Sequence, residues 1–162
     1  MLSNLDALYT SLTKILNEIL QLDPNIQAVI LTNTSGQLID YAISTYFEQK
    51  LKEEEFYIEG LAATIAAMFG ATLATGIDFD LGGANSILAE FSEGRIVIVP
   101  CDSTSVFALV TTKDAPLGSI RIIAKRYSEK LRELLPKLFS QVEKEIKTLT
   151  RDKTKMKNIL LE

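Results

Sequence analysis

Histidine is absent from this 162-residue chain and cysteine occurs once, as Cys101. Both scarcities exclude chemistry. A lone cysteine cannot close an intrachain disulfide, and without histidine the ligands that zinc and most transition metals prefer are missing. The same absence removes histidine-based triads and histidine general bases. The first residues, MLSNLDALYT, lack the basic start and continuous apolar run of a secretory signal, so a reducing, cytoplasmic setting is expected. No glycine-rich loop followed by lysine occurs, so there is no P-loop to cradle nucleotide phosphates.

Positive charge is scarce over most of the chain. Residues 1–112 contain 4 Lys/Arg against 14 Asp/Glu, whereas residues 113–162 contain 13 against 7. An acidic body therefore carries a basic C-terminal part. Nucleic-acid binding through that part would gain from aromatic groups to stack on bases, yet no aromatic lies beyond Phe139. No nucleic-acid partner is expected.

What the chain does have is periodicity. Leu5, Leu8, Leu12, Ile15, Ile19 and Leu22 recur at three- and four-residue spacing, which predicts a helix capped by Ser3 and Asp6 and stopped at Asp23-Pro24. The apolar run 26–31 and the segment 37–43 read as a hairpin around the turn ending at Gly36, and 47–55 as a connection. Residues 60–77 carry no charge and are rich in alanine, which predicts a second helix. Three strands, 85–91, 95–101 and 106–111, form a predicted meander. A long helix follows the 115–118 turn, with Ile123, Tyr127, Leu131, Leu134, Leu138, Val142 and Leu149 on one face and a kink or break expected at Pro136. Residues 150–162 are expected as a short amphipathic continuation or a frayed tail.

The uncharged helix is long enough to span a bilayer, but glycine, alanine and threonine supply most of it, so no transmembrane segment is expected. Its small residues are more informative. Ala62, Ala66, Gly70 and Ala74 are four apart, as are Ala63, Ala67 and Ala71, leaving one face nearly bare of bulk. Such a face admits another backbone closely, either the chain's own sheet or a second chain.

Other candidate chemistries fail on their spacing. Asp78-Phe79-Asp80-Leu81-Gly82-Gly83 begins like a calcium loop, but its twelfth position is Ala89 where a bidentate glutamate is required. Ser103, Thr104 and Ser105 have no basic partner to activate a hydroxyl. Arg95 follows a turn and reads as surface in preference to an arginine finger. No catalytic, cofactor or metal residue is assigned.

The order helix, two strands, helix, three strands, helix resembles the Roadblock (dynein light-chain) domain family. The resemblance rests on Val29-Ile30-Leu31 with the Gly36 turn, the small-residue helix from Gly60 to Gly76, Ser86 to Phe91, the Gly94 turn, Ile96 to Val99, and Leu117-Gly118. Ser35 stands where many members place aspartate, and serine also favours turns. The resemblance implies an α+β fold: a five-stranded antiparallel sheet with the middle helix on one face and the terminal helices on the other. It implies a domain at 1–149 followed by a basic extension at 150–162. It further implies a non-catalytic homodimer that binds, and regulates or scaffolds, a small Ras-like GTPase. The dimer or partner interface it implies contains Ala63, Ala66, Ala67, Gly70, Ala71, Ala74, Ile87, Leu88, Ala89 and Phe91. A passive dimeric adaptor that uses the basic arm, and a small-molecule-sensing domain, are the alternatives.

Overall fold

A computed structural model describes residues 3–51 and 54–161. The elements run α1 (Asn4–Leu22), β1 (Ile26–Asn33), β2 (Leu38–Ile43), α2 (Thr45–Lys50), α3 (Glu54–Asp78), β3 (Ile87–Phe91), β4 (Gly94–Pro100), β5 (Ser105–Thr112) and α4 (Leu117–Leu161). One antiparallel sheet has the order β2-β1-β5-β4-β3. The hairpin and the meander expected from the sequence are thereby joined through β1 and β5.

Burial on both faces follows from strand alternation. Val29, Leu31, Phe107 and Leu109 point into one core with α1 and α4, which contribute Leu12, Leu16, Ile19, Leu131 and Leu135. Ala28, Ile30, Val106 and Ala108 point into the other, against Ile58, Ala62, Ile65 and Phe69 of α3. The middle helix thus covers one face and the terminal helices the other, as the Roadblock resemblance implied.

Local chemistry sets the ends of these elements. Ser3 and Asp6 form the reciprocal capping box that starts α1. Gly36 closes the β1–β2 turn at φ +91°, and a Cβ there would lie 3.2 Å from Ala63 Cα of α3. The turn therefore sits directly on the helix, which explains why both positions are small.

Three expectations need correction. The stretch 47–55 is not merely a connection: Ser44 caps the short helix α2, and α3 already begins at Glu54. Residues 52 and 53 of that stretch lie outside the described residues, as do 1, 2 and 162. Strand β3 begins at Ile87, two residues later than expected. Finally, α4 is one helix through Pro136 and on to Leu161. An interior proline costs about 3 kcal/mol, whereas burying one leucine side chain contributes about 1.5–3 kcal/mol. Fully buried Leu131, Leu135 and Leu138 hold the helix to the core on both sides of the proline.

The C-terminal end of α3 depends on one close approach. A Cβ at Gly76 would stand 2.3 Å from the backbone carbonyl oxygen of Gly82, in the turn where Asp80 and Gly82 adopt positive φ. Gly76→Ala is expected to destabilise the fold by about 2 kcal/mol, lowering Tm by roughly 4–8 °C. Gly60→Ala, where nothing lies within 4 Å, should raise Tm slightly. Thermal melts of the two variants check the contrast.

Candidate interaction site

The faces of α3 do different work. Ile58, Ala62, Ile65, Ala66 and Phe69 are buried against the rest of the chain, while Ala63, Ala67, Gly70, Ala71 and Ala74 are exposed. Of the small residues expected at an interface, Ala66 is thus turned inward, at 6% exposure, and Ala63 lies beside Gly36. The other four form the bare outer face. Phe56 lies towards one end of α3, and Ile77, Phe79 and Leu81 lie at and beyond the other, all exposed.

By length and composition α3 could cross a bilayer. Its Ile58–Phe69 stripe is packed on the sheet instead. The outer face is what remains: a surface without charge from Gly60 to Ile77, facing water in the single chain.

The strand residues divide by pleat. Ile87 pairs with Ile98 and packs with the α3 core, and alternation puts Ala89 and Phe91 on the same side. Leu88 pairs with Val97 and joins the α1/α4 core. Phe91 is 59% exposed and Ile87 and Ala89 are half-buried, so α3 leaves this end of its own layer partly open. β3 is also an edge strand, with no neighbour among the described residues on the side away from β4. The structure therefore places two incompletely covered features in the α3 layer: the outer helix face and the β3 edge.

The polar groups singled out in the sequence have internal duties. Arg95 donates from Nε to Glu90 at 3.2 Å and from a terminal nitrogen to the Ala115 carbonyl at 2.6 Å, tying the β3–β4 hairpin to the start of α4. Asp102 accepts from the backbone and hydroxyl of Thr104 in a local turn. Ser105 is fully buried, and its hydroxyl has no partner among the described residues. No group of three or more His, Cys, Asp or Glu gathers among the described residues. An open trough of about 550 Å³ lies between β4 and α4, rimmed by Arg121, Lys125 and Arg132. Arg132 donates to the Cys101 carbonyl at 2.6 Å.

The sequence matches no protein-family model and no curated relative. Solved structures do resemble the fold. An MglB described in a tetrameric arrangement aligns with TM-score 0.72 and 17% identity, over 82% of this chain and 93% of that one. Myxococcus xanthus MglB gives 0.69 and 20%, over 80% and 98%. A Roadblock/LC7 domain from Streptomyces avermitilis gives 0.66 and 14%, over 76% and 96%. The chain has the Roadblock/LC7 fold.

Cys101 supplies a pH test of the core. Burial, and secondarily Asp102, push its thiol from an ordinary 9.0 up to about 12, with Arg132 acting the other way. Between those values the folded chain holds a proton that the unfolded chain releases, so stability is full below pH 9 and falls as pH rises towards 12. The Tyr41 phenol, raised by burial and then by Glu54, contributes in the same direction. A disulfide reagent at pH 8 should leave native Cys101 unmodified and titrate one thiol in denaturant. Cys101→Ala should flatten the alkaline fall in Tm without abolishing it.

Proposed function

We propose that this Roadblock-fold chain is a non-catalytic, homodimeric binding module, cytoplasmic in setting, whose paired domains present a surface to a small Ras-like GTPase and regulate or scaffold it. The observation that supports self-association is the outer face of α3, formed by Ala67, Gly70, Ala71 and Ala74 and open to water. A lone domain gains nothing from leaving such a surface uncharged. A second copy of the same face could approach closely enough to exclude water along the helix. The β3 edge supports the same reading, because an unpaired edge invites either aggregation or orderly pairing with another strand. Ile87, Ala89 and Phe91 would then be covered from the partner's side, and Leu88 would stay in its own core.

The fold of an MglB described as tetrameric agrees with a self-associating module. The GTPase as partner rests on the Roadblock resemblance. Regulation in this reading works through the partner's own active site.

Gly70→Glu and Ala67→Glu test both parts. Nothing lies within 4 Å of a Cβ built at Gly70, and Ala67 is exposed, so each variant should fold and Gly70→Glu should lose no helix propensity. Two like charges brought together across a two-fold contact should prevent close approach. Sedimentation is expected to show a folded chain that no longer pairs through α3, and pull-down with the host's small GTPases, loaded with either nucleotide, is expected to lose its signal. An α3 contact unchanged in both variants would remove this face from the interface. Failure of the unmodified chain to retain any GTPase would end the partner assignment and leave the dimer standing.

A further inference from the structure

The last buried residue of α4 is Leu138, and from Ile146 to Leu161 every side chain is exposed. The segment from Ile146 to Leu161 thus forms an arm about 24 Å long that the domain does not cover, rooted at half-buried Val142 and Glu145. Isolated helices shorter than about 12–15 residues are marginal in water, and this arm is little longer. The arm is nevertheless amphipathic. Val142, Ile146, Leu149, Met156 and Leu160 lie on one stripe, with Lys153 completing a spacing of 4, 3, 4, 3 and 4. Ile146, Leu149, Met156 and Leu160 are 56%, 62%, 65% and 80% exposed.

We propose that this stripe is a second self-association surface, in which the arms of two copies pair as a short antiparallel coiled coil. The alternation of four and three residues is the seam spacing of such a pair, with Ile146, Lys153 and Leu160 at a and Val142, Leu149 and Met156 at d. The seam lysine selects the direction, because flanking pairs are available either way, Asp152 to Lys157 in parallel arms and Glu143 to Lys157 in antiparallel ones. Side by side in parallel, Lys153 would meet Lys153 of the other arm within the seam. Antiparallel, each a position meets a d position: Val142 faces Leu160, Ile146 faces Met156, and Leu149 faces Lys153 of the other arm. Asp152 then stands near that lysine. The flanking Glu143 meets Lys157 of the second arm, and by symmetry this complementary pair occurs twice. One like-charge approach, Asp152 with its counterpart, lies beside the two lysines at position 153.

The same geometry argues against a flat bilayer as the occupant. The arm's stripe prolongs the Leu131, Leu135 and Leu138 row that faces the core, so the domain body overhangs the side on which a membrane would have to lie. Lys144, Lys147, Arg151 and Lys155 fall on the opposite side of the helix. The body itself is acidic over residues 1–112. A second arm is only about 10 Å across and needs no such flat surface.

Full-length chains test the proposal, since buried Cys101 does not compete with cysteines placed in the arm. Under mild oxidation, Leu149→Cys mixed with Lys153→Cys should form a mixed disulfide several-fold faster than either chain links to itself. Preferential self-linking of Leu149→Cys would mean parallel arms and overturn the assignment, as would equal, slow linking of all pairs. Glu143→Lys should weaken arm association about tenfold in sedimentation, and Glu143→Lys with Lys157→Glu should restore it. A swap that restores nothing refutes the register. Binding of the unmodified chain to phosphatidylserine vesicles that Leu149→Glu abolishes would assign the stripe to lipid instead. Because the arm lies apart from α3 and β3, these readouts are also distinct from those of Gly70→Glu.

Discussion

Strands β1 and β5 lie at the centre of the sheet, and almost every residue of both is buried on one face or the other. A sheet buried on both sides cannot stand alone: each face must be covered by helices whose apolar stripes match its width. That requirement fixes the roles of α1, α3 and α4. The terminal helices together cover one face, so neither is expected to fold without the sheet. α3 covers the other face by itself, and one helix about 10 Å wide cannot span five strands about 4.8 Å apart. Its cover is concentrated over β1, β2 and β5. The partly open β3 end follows from this arithmetic, and so does the opportunity for a second chain.

Residue size along α3 refines the point. Ala62 brings the helix close to the sheet, and Ala63 and Ala66 accommodate the Gly36 turn. Ala67, Gly70, Ala71 and Ala74 have no such internal duty. Lysine or glutamate at those exposed sites would keep most of the helix propensity and serve solubility better. Their smallness and neutrality are therefore costs to a monomer that an interface would offset.

Much of this architecture was legible in the sequence because its signals are local. The three- and four-residue spacing of α1, its Ser3/Asp6 cap, the Gly36 and Gly94 turns and the uncharged α3 each reflect short-range chemistry. What was not legible depends on contacts distant in sequence. Nothing between 26 and 43 states that β1 pairs with β5, some eighty residues away, and this pairing alone unites the hairpin with the meander. Nor could spacing sort the small residues of α3, since Ala66 and Ala67 are adjacent in sequence yet one is buried and the other faces solvent. The break expected at Pro136 was a local rule overruled by tertiary packing of the leucines around it. The α2 helix was hidden in a segment whose cap, Ser44, is positioned partly by Gln27 from β1, through a 2.6 Å hydrogen bond.

The two ends of the molecule now pose one physical question: how an acidic body and a basic arm coexist in one chain. Were the arm's charge meant for its own body, α4 would fold back or form ion pairs with it. Instead the helix continues outward, and the ion pairs among the described residues, Arg95–Glu90 and Lys113–Glu93, both lie in the body. Charge on the outer side of the arm keeps a long, otherwise sticky helix soluble, while the seam side offers Glu143 and Lys157 at matched distances from its centre. Were α3 to pair domains on one surface and the arm on another, as proposed, each copy would have two independent contacts. Two-fold contacts at separate sites propagate instead of closing unless their axes meet, so the angle between arm and sheet decides between a closed assembly and an open chain.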